Sequence, residues 1–269
     1  MEWKESFYPA CYSAFTYDDK QYALPTRFDS QIFVYKKSIF EKYGLKVPET
    51  WDELMNICET LKQNGEIPFI LGDGTTWDAP HWYGALWQRC VPEDVLEKQD
   101  FNVKSVTLDD SGYIKGLKYF NEVMEKGYFK ENCVSLEHNM ALETFYAGEG
   151  AMAYVEVVEI NDVNNGLNGD FGFFPMPKIE GEAGNQEKTF GAPEGMIVNA
   201  KSQHVEESVD FLKYLTSLEV QKKLVEEAKH TSSVIGATTE ENAIPQLVEV
   251  MDMIMNFQGM SNWTDCGLE

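Results

Sequence analysis

The chain has 269 residues, enough to bury a substantial apolar core, and its content of 43% hydrophobic and 25% charged residues excludes an intrinsically disordered protein. Asp and Glu number 45 against 22 Lys and Arg, which gives a formal net charge of -23 and a surface that repels phosphate backbones and anionic lipid. Nucleic acid is therefore not an expected partner, and direct membrane insertion of this chain is not expected either.

Two elements are well marked near the start of the chain. A β-branched and aromatic run at residues 32–35 is typical of a buried strand, and the helix that follows is predicted to end at Gly44. In the next helix, Thr50 and Glu53 have capping-box spacing, and Gly65 follows the last apolar position. The buried stripe of this helix is predicted to comprise Trp51, Leu54, Ile57, Cys58 and Leu61.

Strands and helices alternate along the rest of the chain. Strands are predicted at 67–71, 151–157, 171–177 and 195–200, and helices at 81–91, 112–128, 135–150, 205–217, 218–230 and around 245–257. Ser135 is expected to cap the helix at 135–150, and Thr216 with Glu219 offers a capping box for the helix at 218–230. This alternation indicates an α/β protein.

No motif for catalysis or for a cofactor occurs. The sequence has no Walker loop, no dinucleotide-binding glycine pattern and no nucleophile elbow, and its histidines and five cysteines lack metal-ligand spacing. Glu156 and Glu159 are close in sequence, but only strand and loop geometry can decide whether they face one cleft. Neither an enzyme nor a metal or cofactor site is predicted.

Aromatic and polar side chains at loop and strand ends are the candidate ligand-binding residues. They are Arg27, Asp29, Trp77, His81, Trp82, Glu194 and Trp263. Sugar rings have apolar faces and many hydroxyls, so flat aromatic rings combined with carboxylate and amide acceptors suit them. Arg27 and Asp29 could equally pair with each other or with solvent.

The tryptophans differ in their expected surroundings. Trp77 lies in a loop beside Asp78 and Pro80, where core packing is less natural. Trp82 and Trp87 lie in a predicted helix, so either could pack in the core, and core packing is expected for Trp87.

Several segments together resemble family 1 extracellular solute-binding proteins, the carbohydrate-binding class that includes maltose-binding protein. The resemblance rests on YALPTRFDSQIFVYKKSIFEKYGLKVPETWDEL (22–54), FYAGEGAMAYVEV (145–157), FGFFPMPKIEG (171–181) and GAPEGMIVNAKSQHVEESVDFLKYLTSLEVQKKL (191–224). Each segment is a weak signal, but their order and spacing are specific.

The resemblance implies an α/β, periplasmic-binding-protein-like fold with two lobes joined by a hinge and a carbohydrate between them. The expected parts are a linker and hinge entry (1–29), the main carboxyl-terminal-type lobe (30–186), the remainder of the amino-terminal-type lobe (187–238) and a return helix on the main lobe (239–269). The family's amino-terminal portion has no counterpart here, so we expect an incomplete first lobe that exposes Met196, Val198, Phe211 and Leu212.

At the site, the resemblance implies ligand contacts from a loop, a helix start and a turn. The residues at those positions are Trp77, His81, Trp82 and Glu194. Lys36 stands where the family commonly has asparagine. Glu156 and Val158 stand where relatives often have glycine and a sugar-stacking tryptophan, so Glu156 is a candidate ligand contact and one stacking platform is in doubt.

The resemblance also implies partners and a location. A sugar or oligosaccharide ligand, ABC permease subunits and a monomeric state are expected, either in the periplasm or on a cell-surface lipoprotein whose export signal is absent from this chain. Two alternatives stay open. One is a carbohydrate-active enzyme with two carboxylates about 5 to 9.5 Å apart. The other is a receptor for a non-sugar solute such as a polyamine, whose cationic groups suit acidic and aromatic side chains.

Overall fold

The computed structural model describes residues 3–100, 108, 111–257 and 259–261. In chain order, the strands of these residues are β1 (Thr16–Tyr17), β2 (Lys20–Gln21), β3 (Leu24–Tyr35), β4 (Phe69–Ile70), β5 (Met152–Glu156), β6 (Gly172–Phe174), β7 (Thr189–Met196) and β8 (Met260–Ser261). The helices are α1 (Pro9–Ser13), α2 (Lys37–Tyr43), α3 (Trp51–Gln63), α4 (Asp78–Cys90), α5 (Glu93–Asp100), α6 (Ser111–Glu125), α7 (His138–Tyr146), α8 (Ile160–Gly166), α9 (Val205–Leu215), α10 (Leu218–Ala228) and α11 (Pro245–Met255). The protein is therefore mixed α/β.

The described residues divide into two compact units. Those up to Ser30 and those from Gly191 to Met260 form unit 1, and those from Gln31 to Phe190, with Ser261, form unit 2. Strands β3 and β7 each contribute residues to both units.

Unit 2 is built around the second half of β3. Ile32 and Tyr35 of this strand pair antiparallel with Val155 and Met152 of β5, and β5 pairs parallel with β4. β6 pairs antiparallel with β3. The side chains of Ile32 and Val34 are fully buried, so the β-branched and aromatic run is a buried strand as predicted.

Local sequence signals set the bounds of the first helices in unit 2. Gly44 ends α2 with φ of 62°, a left-handed conformation that glycine adopts without steric cost. The Thr50 hydroxyl accepts from the amide of Glu53, whose carboxylate accepts from the amide of Thr50, so the predicted capping box is confirmed. The predicted stripe of α3 is also confirmed, since all five of its residues are buried.

Two predicted helix caps are wrong. Ser135 belongs to a 3-10 turn, Cys133–Ser135, and α7 begins only at His138. The Thr216 hydroxyl donates to the carbonyl oxygen of Leu212 and so follows the end of α9. Ser217 is the N-cap residue of α10, without a side-chain cap hydrogen bond.

Trp87 lies in the core, as expected. Its indole nitrogen donates to the carbonyl oxygen of Tyr113 at 3.0 Å, and its ring meets that of Tyr113 edge-on at a centroid separation of 5.1 Å. A Cβ atom on Gly116 of α6 would stand 2.5 Å from the Trp87 ring, so glycine permits this close approach of α6 to α4.

A buried arginine fixes the loop that follows β6. The Arg89 guanidinium donates to four backbone carbonyl oxygens, those of Met176, Pro177, Asn185 and Lys188, at 2.8 to 3.3 Å. Burial lowers the pKa of Arg89 to about 10, but the group stays charged at neutral pH.

Unit 1 pairs the first half of β3 with β7, from Leu24 opposite Met196 to Ser30 opposite Gly191. Among its described residues, one small cluster of buried apolar side chains comprises Phe7, Leu24, Leu212, Val225, Val234 and Ala237. Residues 3–29 group with this unit, and Phe7 among them is only 2% exposed, whereas the sequence suggested a linker and hinge entry at 1–29.

The final helix also differs from its expected place. The described part of 239–269 up to Met260, including α11, groups with unit 1 and not with the main lobe. The side-chain amide of Asn242 donates to the carbonyl oxygens of Lys222 and Ala237, which ties the segment before α11 to α10 and its neighbouring loop.

Unit 1 presents an apolar groove. A cavity of about 600 Å³ is lined by Met196, Ile197, Val198, Asn199, Ser202, Glu207, Ser208, Phe211 and Leu212. Met196 is 44% and Phe211 57% exposed, as the sequence predicts, whereas Val198 is half-buried and Leu212 is 8% exposed. Leu212 is covered because it points to the small core of the unit, so half of this expectation is wrong.

Two further findings concern the described residues. None of their helices combines the length and the hydropathy needed to cross a lipid bilayer. Cys11, Cys58, Cys90 and Cys133 are buried free thiols, and burial raises the pKa of the Cys11 thiol to about 12.

Candidate ligand-binding site

Seven residues of unit 2 form one connected polar and aromatic group, which we call the Trp77 cluster; six of them are joined through their side chains, and Glu156 is joined through its backbone amide. Its members are Gln31, Trp77, Asp78, His81, His138, Glu156 and Glu159. Three of them, Trp77, His81 and Glu156, are candidates from the sequence.

Strands β3 and β5, the turn after β5 and the starts of helices α4 and α7 bring the cluster together. Gln31 of β3 lies opposite Glu156, the last residue of β5, in the antiparallel register. A 3-10 turn, Val157–Glu159, follows β5 directly and carries Glu159. Helices α4 and α7 begin at Asp78 and His138, so the cluster draws on two helix starts and one strand end.

His81 is joined to the sheet by Gln31. The Nδ1 atom of His81 lies 2.6 Å from the amide nitrogen of Gln31, in a buried contact. An amide nitrogen only donates, so Nδ1 of His81 accepts in this contact. His81 is only 5% exposed, and any contact that it makes with a ligand requires a group that reaches into this buried corner.

His138 links two carboxylates. Its Nδ1 atom lies 2.8 Å from Oδ1 of Asp78, and its Nε2 atom lies 2.6 Å from Oε1 of Glu159. Burial acts to lower the pKa of His138, but the hydrogen bonds to both carboxylates outweigh it and raise the pKa to about 10. Burial raises the pKa of Asp78, and the hydrogen bond from His138 opposes that change.

The carboxylate of Glu159 also holds the end of β5. Its Oε2 atom accepts a hydrogen bond from the backbone amide of Glu156 at 2.9 Å, as part of a capping box at the start of the 3-10 turn. The two glutamates that are close in sequence are thus close in space, and one of them fixes the backbone of the other.

Trp77 lies between two histidines. Its ring centroid is 4.4 Å from that of His138 and 5.0 Å from that of His81, with tilted ring planes in both pairs. The side chain is half-buried, so part of the indole ring stays accessible. An accessible aromatic ring beside carboxylates suits a ligand that has an apolar face and hydroxyl donors.

Trp82 is a core residue, which corrects the expectation that it contacts ligand. It is 1% exposed, and its ring lies within 5.0 to 5.4 Å of four aromatic rings, those of Phe33, Phe69, Phe129 and Tyr154. Trp77 precedes α4, whereas Trp82 lies on the face of α4 that packs on the sheet, so five residues of separation decide between accessible and buried.

Lys36 donates hydrogen bonds to the backbone of unit 2. Its ammonium group is buried and donates to the carbonyl oxygens of Glu149 and Gly150 at 3.0 and 2.9 Å, and it lies 4.5 Å from the centroid of the Phe145 ring. Burial lowers the pKa of Lys36 to about 8. The lysine therefore has a structural contact set at the position where relatives commonly have asparagine.

The candidates in unit 1 lie on β3 and β7. Arg27 forms an ion pair with Glu194, its partner in the strand register, and both side chains are partly exposed. Asp29 is buried, and its Oδ1 atom accepts from the backbone amide of Ser30 at 2.8 Å. His230 donates through Nε2 to the carbonyl oxygen of Thr26, and burial lowers its pKa.

One candidate, Trp263, lies outside the described residues. The sequence also missed four members of the Trp77 cluster: Gln31, Asp78, His138 and Glu159. Asp78 adjoins Trp77 in sequence and could have been noticed, but His138 is 60 residues away from Asp78 along the chain, and no local pattern joins them.

Two carboxylates of the cluster already have partners within it. Across the described parts of the chain, no group of three or more His, Cys, Asp and Glu side chains is arranged to hold a metal ion. Asp78 and Glu159 both accept hydrogen bonds from His138, so these two carboxylates are already engaged.

Comparisons with known proteins identify solute-binding proteins as relatives of this chain. A family model described as bacterial extracellular solute-binding protein matches residues 2–222. An uncharacterized ABC transporter extracellular-binding protein of Pyrococcus horikoshii is 27% identical over 216 residues, which are 76% of this chain and 45% of that protein. The multiple sugar-binding protein of Streptococcus mutans is 25% identical over 236 residues, 84% of this chain and 54% of its own length.

The chain thus spans about half the length of these curated relatives. Among solved structures, one from work on xylan utilization by Caldanaerobius polysaccharolyticus matches with a TM-score of 0.84 at 23% identity, over 99% of this chain and 69% of that one. At that identity the likeness shows the fold, which is the α/β periplasmic-binding-protein-like fold expected from the sequence.

Proposed function

Because the chain belongs to the family of bacterial extracellular solute-binding proteins, we propose that it captures a sugar or oligosaccharide for an ABC importer. The observation that carries the proposal is the Trp77 cluster, in which an accessible indole ring and several carboxylates form one connected group. The name of the Streptococcus mutans relative supports a sugar as the ligand class.

The chemistry of the cluster supports this ligand class. A pyranose ring presents C–H groups that pack on an indole face, while its hydroxyl groups donate to carboxylate oxygens. Trp77 supplies the ring, and the half-buried side chain of Glu156 supplies a carboxylate at the end of β5. Arg27, Asp29 and Glu194 in unit 1 are proposed as further ligand contacts.

The proposed mechanism is capture by closure. An open form binds the sugar, contacts from two lobes favour the closed form, and the permease recognises that form. No covalent step is involved, and we propose that the chain is not an enzyme. The proposed setting is extracellular or periplasmic, as a monomer or a cell-surface lipoprotein, with ABC permease subunits as partners.

The test is calorimetric titration with a panel of maltose-, xylose- and fructose-based oligosaccharides. We expect Trp77→Ala to weaken binding of the preferred sugar about 2- to 12-fold, because a lost aromatic contact is worth about 0.5–1.5 kcal/mol. Trp3→Ala is the matched control, since it removes a partly exposed indole from unit 1.

Three outcomes would contradict the proposal. They are binding of spermidine without binding of any sugar, sustained release of reducing sugar by the protein, and equal sugar affinity in the Trp77→Ala and wild-type proteins. The first points to a polyamine receptor, the second to an enzyme, and the third removes Trp77 from the site.

A further inference from the structure

The His138 side chain is held through both of its ring nitrogens. Nδ1 lies 2.8 Å from Asp78 and Nε2 lies 2.6 Å from Glu159, and both partners are carboxylate oxygens. A neutral imidazole has one N–H group and cannot donate from both nitrogens, whereas an imidazolium can. The geometry therefore fits a charged ring that donates two hydrogen bonds.

The surroundings of the ring favour that charge. Asp78 reaches it from α4 and Glu159 from the 3-10 turn, and these are the charged groups that act on His138. Asp73 acts on Asp78 in turn. Burial raises the pKa of Tyr146, and the nearby Glu159 carboxylate adds to this rise. With its pKa at about 10, His138 carries its charge throughout the neutral range.

The imidazolium lies next to two proposed ligand-binding groups, the Trp77 ring and the Glu156 strand end. The Trp77 ring lies 4.4 Å away, centroid to centroid, within the range of a cation–π contact. On the other side, Glu159 uses its second oxygen to hold the amide of Glu156 at 2.9 Å. His138 thus stands between the aromatic ring and the carboxylate-bearing strand end.

We propose that His138 is a positioning residue that holds Trp77 and the Glu156 turn as one preformed ligand-binding face. The inference rests on the proposed function, because it assigns His138 a role in the same site. A face that is ordered before binding loses less side-chain freedom when a sugar docks, so affinity depends on the network as well as on the groups that touch the ligand.

The test compares His138→Gln with His204→Gln, an identical change at an exposed histidine. The indole N–H resonance of Trp77, assigned with a Trp77→Phe variant, reports the ring's surroundings without any ligand. We expect His138→Gln to shift this resonance and to weaken sugar binding about 3- to 10-fold. His204→Gln should leave both unchanged.

A pH series separates positioning from simple loss of structure. As the pH rises through about 10, His138 in the wild type loses one N–H donor, so the Trp77 resonance should move and sugar affinity should fall. Neither change should occur in His138→Gln across the same range. If that variant does not fold, Glu159→Gln keeps the side-chain size and removes one charge, and it should shift the Trp77 resonance in the same way.

The proposal is overturned if His138→Gln keeps the wild-type Trp77 resonance, the wild-type affinity and the alkaline titration. An unchanged Trp77 resonance in a folded Glu159→Gln protein overturns it as well. If the wild type binds no sugar of the panel, the proposed function fails, while the Trp77 resonance and its titration still decide whether His138 positions the ring.

Discussion

Unit 2 and unit 1 differ sharply in how well they bury their apolar side chains. In unit 2, the rings of Phe33, Trp82, Tyr154 and Phe174 pack with neighbouring centroids 4.4 to 5.4 Å apart. In unit 1, Ile197 is 73% exposed and lies at a groove of about 600 Å³. The aromatic residues of unit 2 pack into one core, whereas unit 1 leaves at its groove an apolar surface of the kind that marks an interaction site.

The largest expected effect is in the core of unit 2. Trp82→Ala removes a ring packed against four others, and we expect the free energy of unfolding of unit 2 to fall by about 3–5 kcal/mol. Urea denaturation followed by near-ultraviolet circular dichroism measures this change. Trp3→Ala, at a partly exposed site in unit 1, should cost less than about 1 kcal/mol.

A second substitution at the same position sharpens this test. The buried indole nitrogen of Trp82 has no hydrogen-bond partner among the described residues, so Trp82→Phe loses volume but no hydrogen bond and should cost clearly less than Trp82→Ala. Equal stability of the Trp82→Ala and Trp3→Ala proteins would show that unit 2 does not depend on this aromatic core.

The next effect concerns the buried guanidinium of unit 2. Arg89→Met leaves four backbone carbonyl oxygens without their donor, and we expect a loss of about 2–4 kcal/mol in the free energy of unfolding. Lys118→Met, an exposed position on α6, is the matched control. A loss below about 1 kcal/mol would mean that water replaces Arg89 around the loop at 176–188.

The smallest effect is expected on the surface of unit 1. Phe211→Ser should change the free energy of unfolding by no more than about 0.5 kcal/mol, because the side chain is 57% exposed. The same change should lower the fluorescence of a bound hydrophobic dye, since the groove loses its largest exposed ring. Tyr22→Ser, equally exposed but outside the groove, should leave dye binding unchanged.

A protein with a longer amino terminus provides a further test of the groove in unit 1. If the groove is a surface that the family's amino-terminal portion covers, a protein extended with that portion should bind less dye and protect the amides of 187–238 from hydrogen exchange. Unchanged dye binding and exchange in the extended protein would contradict the expectation of an incomplete first lobe.

Features of short range were predictable from the sequence. The capping box of Thr50 and Glu53, the end of α2 at Gly44 and the buried strand at 32–35 all depend on residues within about one helical turn or one strand. The α/β class also followed, because alternating strand and helix patterns are visible along the chain. Trp77 became a candidate from its loop position and from the family resemblance, and its contact with a ligand stays a prediction.

Other features were decided only by the tertiary structure. The sequence could not decide whether Trp82 packs in the core or contacts a ligand, because which face of α4 packs on the sheet depends on strands far along the chain. His138 meets Asp78 across 60 residues and Glu159 across 21, and no local sequence pattern links this histidine to either carboxylate. Hydrogen bonds and burial between distant segments form only when the chain folds, so they set the site while local patterns set the elements that carry it.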